Sequence, residues 1–194
     1  MTVLDAPTPL PTPPNGRAPP PSSIKIQDAT KKDIEAVAHL GATVFANSFG
    51  WSMPKKDLEQ YLIDAYSIHN ITKDFESADT DIIVATDENH EVVGFGQLTK
   101  GTTEPCLQNK SNFCELQRLY VREDQHGKGI GSSLMNRIDE IAIQQGFKGM
   151  WIGVWEENVK AQRVYRRQGF EKVGTHDFKC GEEVQTDWIM WKDL

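Results

Sequence analysis

Between residues 113 and 145 the hydrophobic pattern changes period across a cluster of glycines. Phe113–Val121 (FCELQRLYV) alternates as a β-strand. Gln125–Gly131 (QHGKGIG) then places glycine at 127, 129 and 131. From Ser132 to Gln145 the apolar residues Leu134, Met135, Ile138, Ile141 and Ala142 fall on one helix face. A strand that runs through glycines into a helix amino terminus makes an anion site. The first N–H groups of the helix lack partners and its dipole adds positive potential. Glycine also lets the backbone approach a phosphate closely. The order is not that of a Walker A loop, because Lys128 lies between glycines and no Gly-Lys-Ser follows. Nor is it the dinucleotide fingerprint, since the spacing is G-x-G-x-G. Ser132 and Ser133 can cap the helix or touch a phosphate, and a plain glycine turn remains the competing reading.

The rest of the chain supplies a mixed sheet around this unit. Ile24 and Ile26 open a short strand, and Thr30 with Asp33 begins a helix carrying Ile34, Val37, Ala38, Leu40, Gly41, Val44 and Phe45. Pro54 starts a second helix whose buried face is Leu58, Tyr61, Leu62 and Ala65. Asp81–Thr86 and Glu91–Leu98 read as a hairpin around Asp87-Glu88-Asn89-His90. Gly149–Trp155 (GMWIGVW) reads as a buried strand, and Asn158–Gln168 as a short helix closed by Gly169. Phe170–Gly174 and Gln185–Lys192 are the last strands. The predicted class is α+β in one domain over residues 23–194.

Composition narrows the function. Eight of the ten prolines lie between Pro7 and Pro21, so residues 1–22 are expected to be a disordered Pro-rich tail. That tail is neutral, and the folded part carries the whole net charge of -7. Nucleic acid is an unfavourable partner for such a domain and a cation a favourable one. No apolar run approaches the ~20 residues of a membrane helix. Three cysteines and five histidines without paired spacing indicate neither a disulfide framework nor a metal. The expectation is a cytoplasmic protein with reduced thiols. Its oligomeric state is open, a homodimer included.

Leu119–Met135 (LYVREDQHGKGIGSSLM) resembles motif A of the Gcn5-related N-acetyltransferase (GNAT) superfamily, Arg/Gln-x-x-Gly-x-Gly/Ala. His126 stands where the family has Arg or Gln. Val154–Phe170 (VWEENVKAQRVYRRQGF) resembles motif B through Asn158, Ala161, Tyr165, Gly169 and Phe170. The carboxyl-terminal residues, with His176 and Gln185-Thr186-Asp187 among them, look like those of PaiA-type spermine/spermidine N-acetyltransferases. The resemblance implies a GNAT-like mixed, mostly antiparallel sheet flanked by helices and splayed between the fourth and fifth strands.

It also implies acetyl-CoA as co-substrate and a small amine as acceptor, attacking the thioester directly. Leu119, Tyr120 and Val121 would bind the pantetheine by strand addition. His126, Gly127, Lys128, Gly129, Ile130, Gly131 and Ser132 would hold the pyrophosphate. Asn158 would touch the pantetheine arm or cap its helix. Tyr165 would protonate the leaving thiolate, and a Leu119 N–H would serve the oxyanion. Strict alternation puts Glu115, Gln117, Leu119 and Val121 on one face. Glu115 lies eleven residues before His126, where some family members carry a glutamate base, and is the candidate base. Cys114 points the other way and reads as packed. His176 reads as structural, with catalysis as its alternative. Seven acids and no Lys or Arg in Asp74–Glu91 suggest attraction for a polycation such as spermidine or spermine. Competing readings are a protein N-terminal, lysine or amine-xenobiotic acetyltransferase, and a non-catalytic acyl-CoA-binding module.

Overall fold

The computed structural model describes residues 23–180 and 183–194, so the tail expected at 1–22 lies outside the described residues. Twelve elements follow one another. They are β1 (Lys25–Asp28), α1 (Ile34–Phe49), α2 (Lys55–Tyr66), α3 (Ile68–Glu76), β2 (Thr80–Thr86), β3 (Val92–Lys100), β4 (Phe113–Val121), α4 (Ile130–Gln144), β5 (Gly149–Trp155), α5 (Val159–Arg167), β6 (Glu171–Cys180) and β7 (Glu183–Asp193). The strands form one sheet in the order β1-β2-β3-β4-β5-β7-β6. Only β4 and β5 run parallel; the other neighbours are antiparallel.

Local chemistry explains most boundaries. The Asp33 carboxylate accepts from both the N–H and the hydroxyl of Thr30, at 2.7 and 2.9 Å, ahead of α1. Asp87 Oδ1 accepts from the N–H groups of Asn89 and Glu91, both at 3.0 Å, and folds the β2–β3 turn. Three elements differ from the sequence reading. Helix α3 is additional. It begins at Ser67, whose hydroxyl accepts from Asn70 N–H at 3.4 Å, and buries little beyond Ile71. Its apolar residues Ile68, Ile71 and Phe75 do stand at helical spacing, but the stretch is short and follows α2 with Ser67 alone between them. Strand β6 runs on to Cys180 rather than ending at Gly174, because β7 pairs with it along that length. Helix α4 starts at Ile130, two residues before the expected Ser132.

The two sheet faces carry separate cores. On one, Leu134, Met135, Ile138 and Ala142 of α4, with Tyr165 and Phe170, cover Ile83, Leu98, Leu116, Ile152 and Val154. On the other, Val37, Ala38 and Phe45 of α1, Tyr66 and Ile71 cover Ile82, Val84 and Phe95. β2 is apolar without alternation because both its faces are buried. Leu107, Trp151, Ile189 and Trp191 form a smaller third cluster.

Candidate active site

β4 and β5 pair only at Phe113–Gly149, Cys114–Met150 and Glu115–Trp151, and then diverge. Each stays held on its outer side, β4 by β3 and β5 by β7. The divergence coincides with a bulge. Leu98 pairs with Leu116 but Gln97 pairs with Arg118, so Gln117 is an extra residue in β4. A bulge bends its strand and re-aims the side chains beyond it. The gap widens into a cleft of about 1600 Å³ lined by Gln117–Val121, Ile152–Trp155, Phe49, Trp51, Asn158 and Tyr165.

The bulge corrects the expected facing of β4. Leu119 and Val121 pack on the α4 side with Leu116, whereas Tyr120 packs on the α1 side. Glu115, paired with Thr99, and Gln117, bonded to the Thr99 hydroxyl at 2.8 Å, do not share the face of Leu119 and Val121. Cys114 is fully buried, and burial pushes its thiol up to about 12, so it is a packed residue.

At the top of β4 the chain enters the glycine loop. Gly127 and Gly129 both have φ +78°, which a side chain would strain. Gly129 is the N-cap of α4, and the first helical bond runs from Ser133 N–H to its carbonyl at 3.0 Å. The N–H groups of Ile130, Gly131 and Ser132 therefore precede the helical ladder, at the positive end of a fifteen-residue helix with no acid in its first turn. A CoA pyrophosphate suits this turn, and the unpaired edge of Leu119, Tyr120 and Val121 suits a pantetheine amide chain. His126 is exposed and lines the cleft. Its Nε2 lies 2.9 Å from the Val121 carbonyl and braces the loop against β4. Ile130 is buried in the core and contributes backbone alone. Lys128 Nζ donates to Gln125 Oε1 at 2.8 Å on the loop surface.

Across the cleft, Asn158 caps α5 by accepting from Ala161 N–H at 3.1 Å. Tyr165, one helical turn and more further on, is 8% exposed and lines the cleft. Burial raises its hydroxyl well above the ordinary tyrosine range, so it remains protonated at neutral pH. Glu115 occupies the last paired position at the vertex of the splay and is not among the cleft-lining residues. Burial lifts its carboxyl, and Thr102 offsets this only in part. The Thr102 hydroxyl oxygen is buried beside it without a hydrogen bond of ordinary length.

A polar network here has no counterpart in the sequence reading. Arg118 Nη1 donates to Asp74 Oδ2 at 2.6 Å and to Gln97 Oε1 at 2.5 Å, and Nη2 donates to the Ala65 carbonyl at 3.3 Å. Gln97 in turn donates to Gln117 Oε1 at 2.7 Å, which fixes the bulged residue. The Tyr66 and Tyr120 hydroxyls meet at 2.7 Å beside it. The one signal was Arg118 itself, a second charged residue in a strand that also carries Glu115 and Gln117.

A splayed parallel pair with a glycine-capped helix above the gap defines an acyl-CoA-dependent transferase. The sequence pattern of the acetyltransferase (GNAT) family matches residues 46–170, and the chain belongs to that family. It is an N-acetyltransferase that uses acetyl-CoA. It is 24% identical over 176 residues to the uncharacterized N-acetyltransferase in the pepI 3′ region of Lactobacillus delbrueckii subsp. lactis, covering 89% of this chain and 99% of that one. It is 34% identical over 77 residues to the spermine/spermidine N(1)-acetyltransferase of Bacillus subtilis, covering 39% of this chain and 50% of that one. Its fold is similar to that of the PaiA N-acetyltransferase from Thermoplasma acidophilum in complex with coenzyme A. The TM-score is 0.71 at 20% identity, over 89% of this chain and 99% of that one. Among the described residues, no helix is long and apolar enough to cross a membrane, and no His, Cys, Asp and Glu group is placed to hold a metal.

Proposed function

We propose that the protein acetylates a small amine, a polyamine such as spermidine or spermine being the substrate class, in the cytoplasm where acetyl-CoA is available. The observation that carries this is the cleft itself. It combines a glycine turn at a helix amino terminus and an unpaired strand edge on one side with a protonated Tyr165 across from them, and Glu115 stands at the vertex of the splay. In the reaction the unprotonated amine nitrogen attacks the thioester carbon. A C–N bond forms, the C–S bond breaks, and the thiolate takes the Tyr165 proton. The proton lost by the amine passes through water to Glu115. A Leu119 N–H serves the oxyanion in this scheme.

The likeness to a spermine/spermidine N(1)-acetyltransferase supports the substrate class. The acidic segment Asp74–Glu91 supports it less than its composition suggests. Four of its seven acids are already in ion pairs: Asp74 with Arg118, Glu76 with Lys31, Asp81 with Lys100 and Glu91 with Arg122. The test is release of CoA thiol from acetyl-CoA in the presence of spermine, spermidine, a lysine peptide, a free N-terminal peptide or an aromatic amine. Turnover is expected with the polyamines, and its absence with both removes the substrate assignment.

A further inference from the structure

On the sheet face of Glu115, β7 places a carboxylate beside an opening in β5. Strand β5 is buried or half-buried at every position except Gly153, which is exposed and lines the cleft. No positive φ requires glycine there. A Cβ at 153 would lie 3.4 Å from Asp187 Oδ2, so that oxygen stands in contact distance of the cleft-lining position 153. Asp187 sits opposite Trp155 in one ladder and opposite His176 in the next.

His176 Nδ1 lies 2.8 Å from Glu104 Oε2, and this pair stands next to Asp187. The groups around the Asp187 carboxylate are His176 of β6 and Glu104 from the segment before β4; beyond them lie Asp177, which acts on His176, and Glu115 of β4, which is next to Glu104. Burial lifts the Asp187 carboxyl to about 6, His176 lowers it and Glu104 raises it further. An incoming cation would compensate that burial. An acceptor carboxylate would be repelled, and Arg118 is already engaged by Asp74 and Gln97. The opposite wall is aromatic. Trp51, 71% exposed, has its ring 5.5 Å from that of Trp155, and Phe49 lies 5.8 Å from Trp155. Aromatic faces beside a carboxylate form a cation-binding arrangement.

We propose that Asp187 anchors a second ammonium of the acceptor, distal to the nitrogen that is acetylated, with the intervening chain passing over Gly153 against Trp155 and Trp51. This rests on the reading of the cleft as an amine acetyltransferase site and adds a requirement for a dication. The reacting nitrogen has to lose its proton before attack, whereas a carboxylate partner keeps a proton on the nitrogen it binds. The anchored group is therefore the non-reacting one.

The test compares putrescine, a diamine, with butylamine, its monoamine counterpart, by thiol release. Wild-type kcat/KM should favour the diamine by about tenfold or more. Asp187→Asn should bring the ratio to about one, through KM. Gly153→Ala keeps the charge and narrows the opening, and should lower the ratio too. It supplies the readout if Asp187→Asn loses its cooperative thermal transition. The wild-type KM for putrescine should rise as pH falls through about 6, where Asp187 becomes neutral, and this dependence should vanish in Asp187→Asn. Turnover of amines with a wild-type ratio near one, or a ratio that neither variant changes, overturns the anchor and leaves the acetyltransferase reading standing. No turnover of any amine overturns both.

Discussion

In the proposed reaction Tyr165 and Glu115 divide the proton transfers, and each role makes a separate prediction. Tyr165→Phe removes the proton donor but leaves the aromatic contact with Phe170, whose ring lies 5.8 Å away. We expect kcat to fall by about 100-fold or more while CoA still binds in calorimetry. A loss below tenfold would leave the leaving group without need of this hydroxyl. Glu115 is lifted by burial, so the acid limb of the kcat/KM profile should lie above the ordinary carboxylate range. That limb should disappear in Glu115→Gln. His176 tests the surrounding pair. Its hydrogen bond to Glu104 raises its folded pKa above the unfolded value. The pair's contribution to stability is then complete below the unfolded histidine value and is lost as pH rises through the folded one. The melting temperature of His176→Gln should approach wild type in alkaline buffer and fall below it in mildly acidic buffer. Of these residues, Tyr165 and Glu115 were legible in the sequence because each sits at a fixed offset within a motif. Asp187 was visible only as part of a family likeness, since nothing in its neighbours announces Gly153.

Elements carry the next level of prediction. Arg118 ties α2 and α3 to the bulge of β4 through Ala65, Asp74 and Gln97. Its side chain is 13% exposed. Arg118→Met strands Asp74 in a partly buried site and should cost about 2–3 kcal/mol in denaturant unfolding. Arg118→Lys should recover little, because one ammonium cannot reproduce the guanidinium fork. A cost under about 1 kcal/mol would reduce the network to an ordinary surface pair. In the loop, a Cβ at Gly127 would meet nothing within 4 Å. Gly127→Ala is therefore a backbone effect alone, about 1–2 kcal/mol, and should appear chiefly as a raised KM for acetyl-CoA. At Gly149 the reason for glycine differs, since a Cβ there would overlap the Trp191 indole. The glycine loop, α1, α4 and the β2–β3 hairpin were readable because period and turn chemistry are properties of one segment. Helix α3 was missed although Ile68, Ile71 and Phe75 stand at helical spacing, because it is short and only Ser67 separates it from α2. The facing of β4 was misread because alternation assumes regular pleating, and the extra residue at Gln117 shows only in the register against β3.

At the scale of the whole molecule, charge is sorted by position. Leu116–Arg137, which leads into the anion loop, holds four bases against two acids despite a net charge of -7 for the chain. The carboxylates of Glu115 and Asp187 both neighbour that of Glu104, on the side where we propose that the acceptor binds. Deleting residues 1–22, a Pro-rich stretch poor in bulky apolar side chains, should leave kcat and the melting temperature unchanged. A shift of more than a few degrees would show that the tail packs on the domain. The amino-acid sequence by itself determined the fold family, the glycine turn before α4 and the place of Tyr165 on α5. Each is written in spacing within one stretch of chain, where neighbouring residues dictate backbone shape. Only the tertiary structure decided how far β4 and β5 stay together, which way β4 faces after its bulge and which carboxylates come to neighbour one another. Those depend on strand register and on segments brought together from distant parts of the chain, such as Gly153 of β5 and Asp187 of β7, and no local pattern encodes that meeting.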